Sequence, residues 1–404
     1  MTHPKFPHTA DDQALKARFR PVFTRIAEGA VQREIHRTLA YEEINALRDL
    51  GFGTLRVPVE LGGLGASVHQ LFELLIELGA ADSNLSQALR PHWAFVEDQR
   101  LSDSESSRNW LRIVAGGKLV GNAVTEAGHG AVERYQTALT NTPDGLRLNG
   151  TKFYSTGSLY ADYIAIHADR DGKRVTVLVD ADAPGISQSD DWDGFGQRLT
   201  ASGTVNSVDV AVSEDRIIGP GYGTAGRTWS TAYLQLILLA SLAGIARRAE
   251  QDAITWVRPR TRTFSHAPAD LPREDPLVQA TIGQLSAAAF GARAAVLAVA
   301  DALDALLDAG ATDPEQLDEV ERSIAKAQSV VIGLVLDATT RLFEVGGASI
   351  ASGQYALDRH WRNARTLASH NPLSYKHRSL GDNLLNGTPL PYQWSAGVRK
   401  RAQA

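Results

Sequence analysis

From Leu119 to Val212 the chain breaks into short β-type runs, and on both sides of that stretch it reverts to helical periodicity. The runs are LVGNAV, YQTALT, GLRLNG, YIAIHAD, RVTVLVD and TVNSVDVAV. Turn signals at Pro143-Asp144-Gly145, Asp171-Gly172 and Pro184-Gly185 separate them. Short strands with no long helix between them predict an antiparallel barrel or sandwich. Before them, apolar residues at helical spacing mark Asp11 to Ala27, Tyr41 to Leu50 and His69 to Leu78, with a further segment from Asn84 to Glu97 broken at Pro91. After them come Thr228 to Val257, Leu277 to Leu307, and a helix opening at Asp313-Pro314-Glu315 and stopped by Gly346-Gly347. The fold class is therefore α+β in three parts: an N-terminal helical domain (1–117), a central β-barrel domain (118–226) and a C-terminal four-helix bundle (227–404).

Composition excludes several chemistries. The 404 residues contain no cysteine, which removes disulfides, thiolate zinc sites, cysteine-ligated iron–sulfur clusters and a cysteine nucleophile. The eleven histidines include no pair at metal-ligand spacing beside a carboxylate, so no metal site is expected. A net charge of -5 gives no overall field for nucleic acid or anionic lipid, although Arg399, Lys400 and Arg401 form a small basic tail. The N-terminus MTHPKFPHTADDQ lacks the apolar core of a signal peptide. The most apolar stretch, Ala232 to Ile245, is interrupted by Gln235 and Ser241 and followed at once by Arg247 and Arg248, so it reads as a buried bundle helix. A cytoplasmic protein without membrane or nucleic-acid partners is expected.

One dinucleotide fingerprint occurs, Gly221, Gly223 and Gly226 between a β run and a helix. A Rossmann unit needs a second parallel strand after that helix; here the helix continues for some 30 residues into RPRTRTF, so the glycines read as a linker. Four other segments combine polar residues with turns. They are GNAVTEAGHG (Gly121 to Gly130), NGTKFYSTG (Asn149 to Gly157), LFEVGGAS (Leu342 to Ser349) and DRHWRNARTLASHNP (Asp358 to Pro372). Taken singly, each is as well explained by cross-strand pairing or a solvated helix end.

In this order, and with this texture between them, they resemble the acyl-CoA dehydrogenase superfamily over nearly the whole chain. Thr125-Glu126-Ala127 resembles its flavin loop and Lys152-Phe153-Tyr154-Ser155-Thr156 its flavin strand. Arg262-Thr263-Phe264 resembles loosely its arginine segment, and Glu344 to Ser349 the glycine pair that meets a neighbouring subunit's cofactor. The resemblance implies flavin contacts at Asn122, Ala123, Val124, Thr125, Glu126, Ala127, Lys152, Phe153, Tyr154, Ser155, Thr156, Arg262, Ala348, Ser349 and His370, and a homotetramer.

The dehydrogenases of this family need a carboxylate base over an acyl thioester. Alignment through Arg362 to Arg365 puts His370-Asn371-Pro372 at its usual place, and the Asn371 amide accepts no proton. DWDGFGQRLTASGT (Asp191 to Thr204) and DRHWRNARTLASHNP closely resemble the flavin monooxygenases of the dibenzothiophene-monooxygenase type. That resemblance implies FMNH2 from a separate NAD(P)H:flavin reductase, with FAD as the alternative flavin. Molecular oxygen is the co-substrate, and a C4a-hydroperoxyflavin transfers oxygen to sulfur or nitrogen of a small apolar substrate. Thr156 and His370 are then expected near N5 and C4a, with His92, Trp93 and Asn371 on the substrate side; His92, Thr156 and His370 form the catalytic set. The alternatives are an acyl-CoA dehydrogenase or oxidase with its base relocated to Glu97 or Glu126, a flavin-binding DNA-associated relative, and nitrogen oxidation of an amino sugar.

Overall fold

The computed structural model describes residues 10–102, 104–126, 135–220 and 228–392. Ala127, the Gly221–Gly226 run and the basic tail lie outside them. The N-terminal part is α1 (Asp12–His36), α2 (Tyr41–Asp49), α3 (Val68–Ala81), α4 (Ser83–Ala88), α5 (Arg90–Arg100) and α6 (Glu105–Ala115). The first helix outruns its predicted end by a full turn and more, until Arg37 closes it in the left-handed conformation. The break expected at Pro91 is real: α4 ends at Ala88, and α5 restarts with Pro91 in its first turn, where a missing N–H costs nothing.

The β part is β1 (Val120–Ala123), β2 (Ala138–Thr142), β3 (Gly145–Ser155), β4 (Tyr163–Arg170), β5 (Lys173–Asp180), β6 (Ile186–Ser189), β7 (Gly203–Val212) and β8 (Ile217–Pro220). The β4–β5 hairpin turns on Asp171 and Gly172, both at positive φ, which is the type I′ geometry that its sequence signals. The sheet corrects two expectations. Its order is β6-β7-β3-β2-β4-β5-β8, a path that does not close among the described residues, and β1 pairs with β4 in parallel. No tight turn joins β1 to β4, so nothing imposes the antiparallel hairpin arrangement on this pair.

The C-terminal part is α7 (Ser230–Val257), α8 (Pro276–Asp308), α9 (Pro314–Arg341), α10 (Asp358–Ala368) and α11 (Leu373–Asn386). The Asp313 carboxylate caps α9 as its sequence predicts, accepting from Gln316 N–H at 2.8 Å. The helix stops at Arg341, before the glycine pair, because a 3₁₀ turn over Leu342–Val345 takes up the intervening residues. A bundle of three long helices is completed by α3 of the N-terminal part. At their crossing, a Cβ on Gly244 of α7 would come within 2.5 Å of the Gly79 backbone of α3, so only glycine permits this approach. One apolar cluster accordingly runs from Phe19, Phe52 and Trp93 through Leu236 and Leu239 to Val296 and Val331. Among the described residues α7 alone is long and apolar enough to cross a membrane, and 83% of its most apolar window is buried in this core.

Candidate functional site

The three parts meet at the corner between α3 and α5. Asp82 starts α4 by accepting from Asn84 N–H at 3.1 Å, and its other oxygen accepts from Arg33 at 3.0 Å. Five contacts then radiate from the corner. Asn84 Oδ1 accepts from Leu199 N–H at 3.1 Å, and Ser83 Oγ accepts from Gln197 Nε2 at 3.1 Å. Gly157, at φ 73°, passes so close to the Ala88 carbonyl that a Cβ would lie 2.3 Å from it. Arg90 donates to the Leu234 carbonyl of α7 at 3.0 Å, and its guanidinium lies 3.3 Å from His370 Nε2. The corner thus holds the end of β3 on one side and His370 on the other.

At the end of β3 the chain presents hydroxyls. Thr156 is half-buried; its Oγ1 accepts from Ser202 at 3.0 Å, Ser202 Oγ lies 2.7 Å from Thr200 Oγ1, and Thr200 donates to the Gln197 carbonyl at 2.9 Å. Gln197 and Ala201 both stand in the left-handed region, at a cost on the order of 1 kcal/mol each. Their surroundings over-determine them: Gln197 N–H donates to Asn363 Oδ1 of α10 at 2.6 Å, and Gly157 N–H to the Thr200 carbonyl at 3.0 Å. Tyr154, also left-handed, leaves its ring 60% exposed with its face against Trp192. The Thr125–Phe153 bridge and the Asn122 N–H to Thr156 carbonyl bond (3.4 Å) bring the 122–126 backbone to the same rim. Ser155 and Ser158 bury hydroxyls that have no partner among the described residues.

On the other side, His370 keeps a solvent-facing surface. The protein crowded around it and the neighbouring Arg90 charge push its pKa down to about 3, so it is neutral at pH 7. Asn371 does not face outward: its Nδ2 donates to Gln235 Oε1 of α7 at 2.8 Å, and Gln328 of α9 donates to the same oxygen at 2.8 Å.

Several expected site residues have other employment. His92 and Trp93 are fully buried. His92 Nε2 lies 2.7 Å from the Gly53 carbonyl and Nδ1 accepts from Val120 N–H at 3.3 Å, so both nitrogens are engaged in tying β1 to the helices. Burial pushes its pKa down to about 4. Trp93 packs edge-on against Phe52 in the core. Neither lines an open surface. Lys152 Nζ donates to Glu126 at 2.7 Å and to the Val124 carbonyl at 3.1 Å. Burial pulls it down to about 8 against the pull of Glu126. Burial alone would raise Glu126, but Lys152 and the N–H groups of Gln136 and Thr137 hold it below the usual range. Glu97, the other carboxylate considered as a relocated base, is clamped between Arg56 and Arg100 and likewise kept ionised despite burial.

The remaining expected contacts stand apart. Arg262, Ala348 and Ser349 are exposed at the far end of α7. There Arg260 lies 3.5 Å over the Trp256 ring and reaches the Ser349 hydroxyl at 3.5 Å. From Leu234, beside Arg90, to Trp256 is 22 helical residues, about 33 Å at roughly 1.5 Å each. One protomer therefore assembles Asn122–Glu126, Lys152–Thr156 and His370 around one corner and holds Arg262 and Ser349 away from it. Sequence reasoning missed Arg90, Gln197, Thr200, Ser202 and Gln235. Arg90 carried a signal: a cation in the first turn opposes the helix dipole and needs a local partner.

Comparison with known proteins agrees with this architecture. Residues 236–375 match the family described as acyl-CoA dehydrogenase, C-terminal domain. The dibenzothiophene monooxygenase of Rhodococcus qingshengii is 28% identical over 384 residues, 90% of this chain and 91% of that one. The probable FMNH2-dependent monooxygenase SfnC of Pseudomonas putida is 27% identical over 380 residues, 92% of this chain and 95% of that one. The crystal structure of TdsC from Paenibacillus sp. A11-2 with FMN and indole superposes with a TM-score of 0.85 at 31% identity, covering 95% of this chain and all of that one. With its corner, its hydroxyl rim and this full-length likeness, the chain belongs to the acyl-CoA dehydrogenase superfamily, in its flavin-dependent monooxygenase branch.

Proposed function

We propose that this enzyme binds reduced FMN, delivered by a separate NAD(P)H:flavin reductase, and inserts one oxygen atom of O2 into a sulfur or nitrogen of a small, largely apolar substrate. The observation that carries the reading is the disposition of carboxylates. The place aligned with the dehydrogenase base holds Asn371, turned onto Gln235. Glu97 and Glu126, the two substitutes, are each locked by cations. A dehydrogenase needs a free base over its substrate; an oxygenase is better served without a negative charge there.

The residues present fit the cofactor. Thr156 offers an open hydroxyl, Tyr154 an exposed ring, and the 122–126 edge backbone groups for a flat polar heterocycle. Bound reduced flavin supplies the electrons that activate O2. The chain's own part is to position and to dry. Thr156 would meet the N5 edge of the flavin and neutral His370 would offer it a hydrogen-bonding imidazole, with Arg90 at 3.3 Å fixing that imidazole's orientation. His92 serves as a structural tie and Trp93 as core. Lys152 and Glu126 hold the flavin strand and loop together, so they act on the cofactor through their backbones.

Arg262 and Ser349, 33 Å or so away along α7, serve the flavin phosphate of a neighbouring copy in a homotetramer. An exposed face of small residues on α8 supports assembly: Gly283, Ala287, Ala294 and Ala298 recur at helical spacing around Phe290, which is 74% exposed. The test supplies FMNH2, air enriched in labelled O2, and a panel of aryl thioethers, sulfinates and indoles. One labelled oxygen in the product, with little peroxide released, is expected. Peroxide and oxidised FMN alone would sink the reading, and anaerobic flavin bleaching by acyl-CoA would replace it with the dehydrogenase.

A further inference from the structure

His370 is met by a group that can only donate. Arg90 Nη1 lies 3.3 Å from His370 Nε2. A guanidinium offers N–H groups and no acceptor, so a hydrogen bond here requires a bare ring nitrogen. A neutral imidazole carries one proton, and with Nε2 bare that proton sits on Nδ1. Arg90 is 9% exposed and its Nε donates to the Leu234 carbonyl at 3.0 Å, so the guanidinium is held where it is. The Asn371 side chain also hydrogen-bonds the ring, in the sense that favours a ring N–H over a lone pair. With Nε2 taken, that is the amide oxygen accepting from Nδ1–H. Asn371 Nδ2 donates to Gln235 Oε1 at 2.8 Å, the oxygen to which Gln328 Nε2 also donates at 2.8 Å. Every contact from Arg90 to Gln235 thus sets a donor against an acceptor. Turning any one of the three amides over would set two donors or two acceptors face to face. Leu234 and Gln235 are consecutive on α7, so a single turn of that helix anchors both Arg90 and Asn371.

We propose that Arg90 is a positioning residue that fixes the proton of His370 on Nδ1, making this imidazole a hydrogen-bond donor of set direction and not an acid. Its bearing on the reaction rests on the proposed placing of His370 beside the flavin. A second proton on the ring has to enter at Nε2, against the Arg90 N–H. The ring can therefore steady reduced oxygen held beside it with a hydrogen bond, but it has no spare proton with which to discharge that oxygen as hydrogen peroxide. Asn371 accepts the Nδ1 hydrogen, and His370 is itself exposed, so a ligand can share it. Asn371 thereby gains a part in the site: it receives the proton whose place Arg90 dictates.

The test records 15N spectra of the full chain labelled at its histidine rings, at pH 7, with His370→Gln identifying the His370 signals. The wild type is expected to show Nδ1 protonated and Nε2 bare. Arg90→Gln, whose amide can turn its oxygen to Nε2, lets the Nε2–H form appear. Arg90→Lys, still a donor only, keeps the wild-type form and guards against a misfolded glutamine variant. In parallel, each protein is mixed with FMNH2 and air, and peroxide released per flavin oxidised is measured. It is expected to rise about two- to tenfold in Arg90→Gln, the worth of one hydrogen bond, and to be restored in Arg90→Lys. A wild-type ring protonated on Nε2, or on both nitrogens, overturns the proposal, as does an unmixed Nδ1–H form in Arg90→Gln. The expected spectra with a peroxide yield indifferent to Arg90→Gln uphold the fixed proton and remove His370 from the flavin, which is the failure of the functional reading and not of this one.

Discussion

The two ends of α7 differ in how finished they are. Around Leu234 the neighbouring side chains are pinned from several directions: Arg90 to the α7 backbone, Asn371 and Gln328 to Gln235, Gln197 to Asn363 and Ser83. Around Trp256 the counterparts Arg262, Ala348 and Ser349 are open to solvent, steadied by little more than Arg260. The first end is built by one chain; the second is left open to solvent. The family resemblance already gave the glycine pair to a neighbouring subunit's cofactor, and within one protomer the two ends stay apart.

Acid should have the largest effect, through three buried histidines. Burial leads in lowering His92 and His360 to about 4 and His167 to about 3, and nearby Arg359, or Lys152 and Arg174, add to it for the latter two. These groups are neutral in the folded state when the unfolded chain, below pH about 6.5, has protonated them. Their stabilisation is present above that pH and is lost as pH falls toward 4. Unfolding near pH 5 should take up about three protons, a slope of roughly 4 kcal/mol per pH unit. Denaturant titrations at stepped pH read the slope; a flat profile would remove the account of these imidazoles as buried and neutral.

The next largest effect belongs to Glu97→Gln. Removing the carboxylate between Arg56 and Arg100 leaves two buried guanidinium groups short of a counter-charge, expected to cost about 3–5 kcal/mol by chemical denaturation. If stability instead holds while thioester desaturation disappears, Glu97 is a base and the comparison fails. Asn371→Asp puts a carboxylate against the Gln235 carbonyl oxygen and should cost about 1–3 kcal/mol in the same assay. Smallest is Arg262→Ala at the unfinished end. We expect no change in unfolding midpoint and about tenfold weaker FMN binding, from loss of one charge-assisted contact. Equal FMN affinity would detach Arg262 from the cofactor.

Local signals carried the reading of the elements. Asp171-Gly172 announced its hairpin, Asp313-Pro314 its cap, and Pro91 its break, because turns and caps are decided by neighbours in sequence. The site was legible only in part. NGTKFYSTG pointed to the rim where Thr156 now stands, but Glu126 and Lys152 pair across 26 positions, and Arg56 and Glu97 across 41. At such separations charge reads as solvated surface. His92 looked like a ligand because its partners are the backbone groups of Gly53 and Val120, which leave no mark in the residue string. Ser202 and Thr200 lay within the Asp191–Thr204 segment, but nothing in the residue string aims them at Thr156, more than 40 positions away.

The 28 residues of α7 act as a measuring rod. Inserting a single turn would shift one extremity by about 5.4 Å relative to the other. The Gly79–Gly244 weld forbids taking up that slack by sliding. Room for a substrate of a given size must therefore come from the segments flanking this rod.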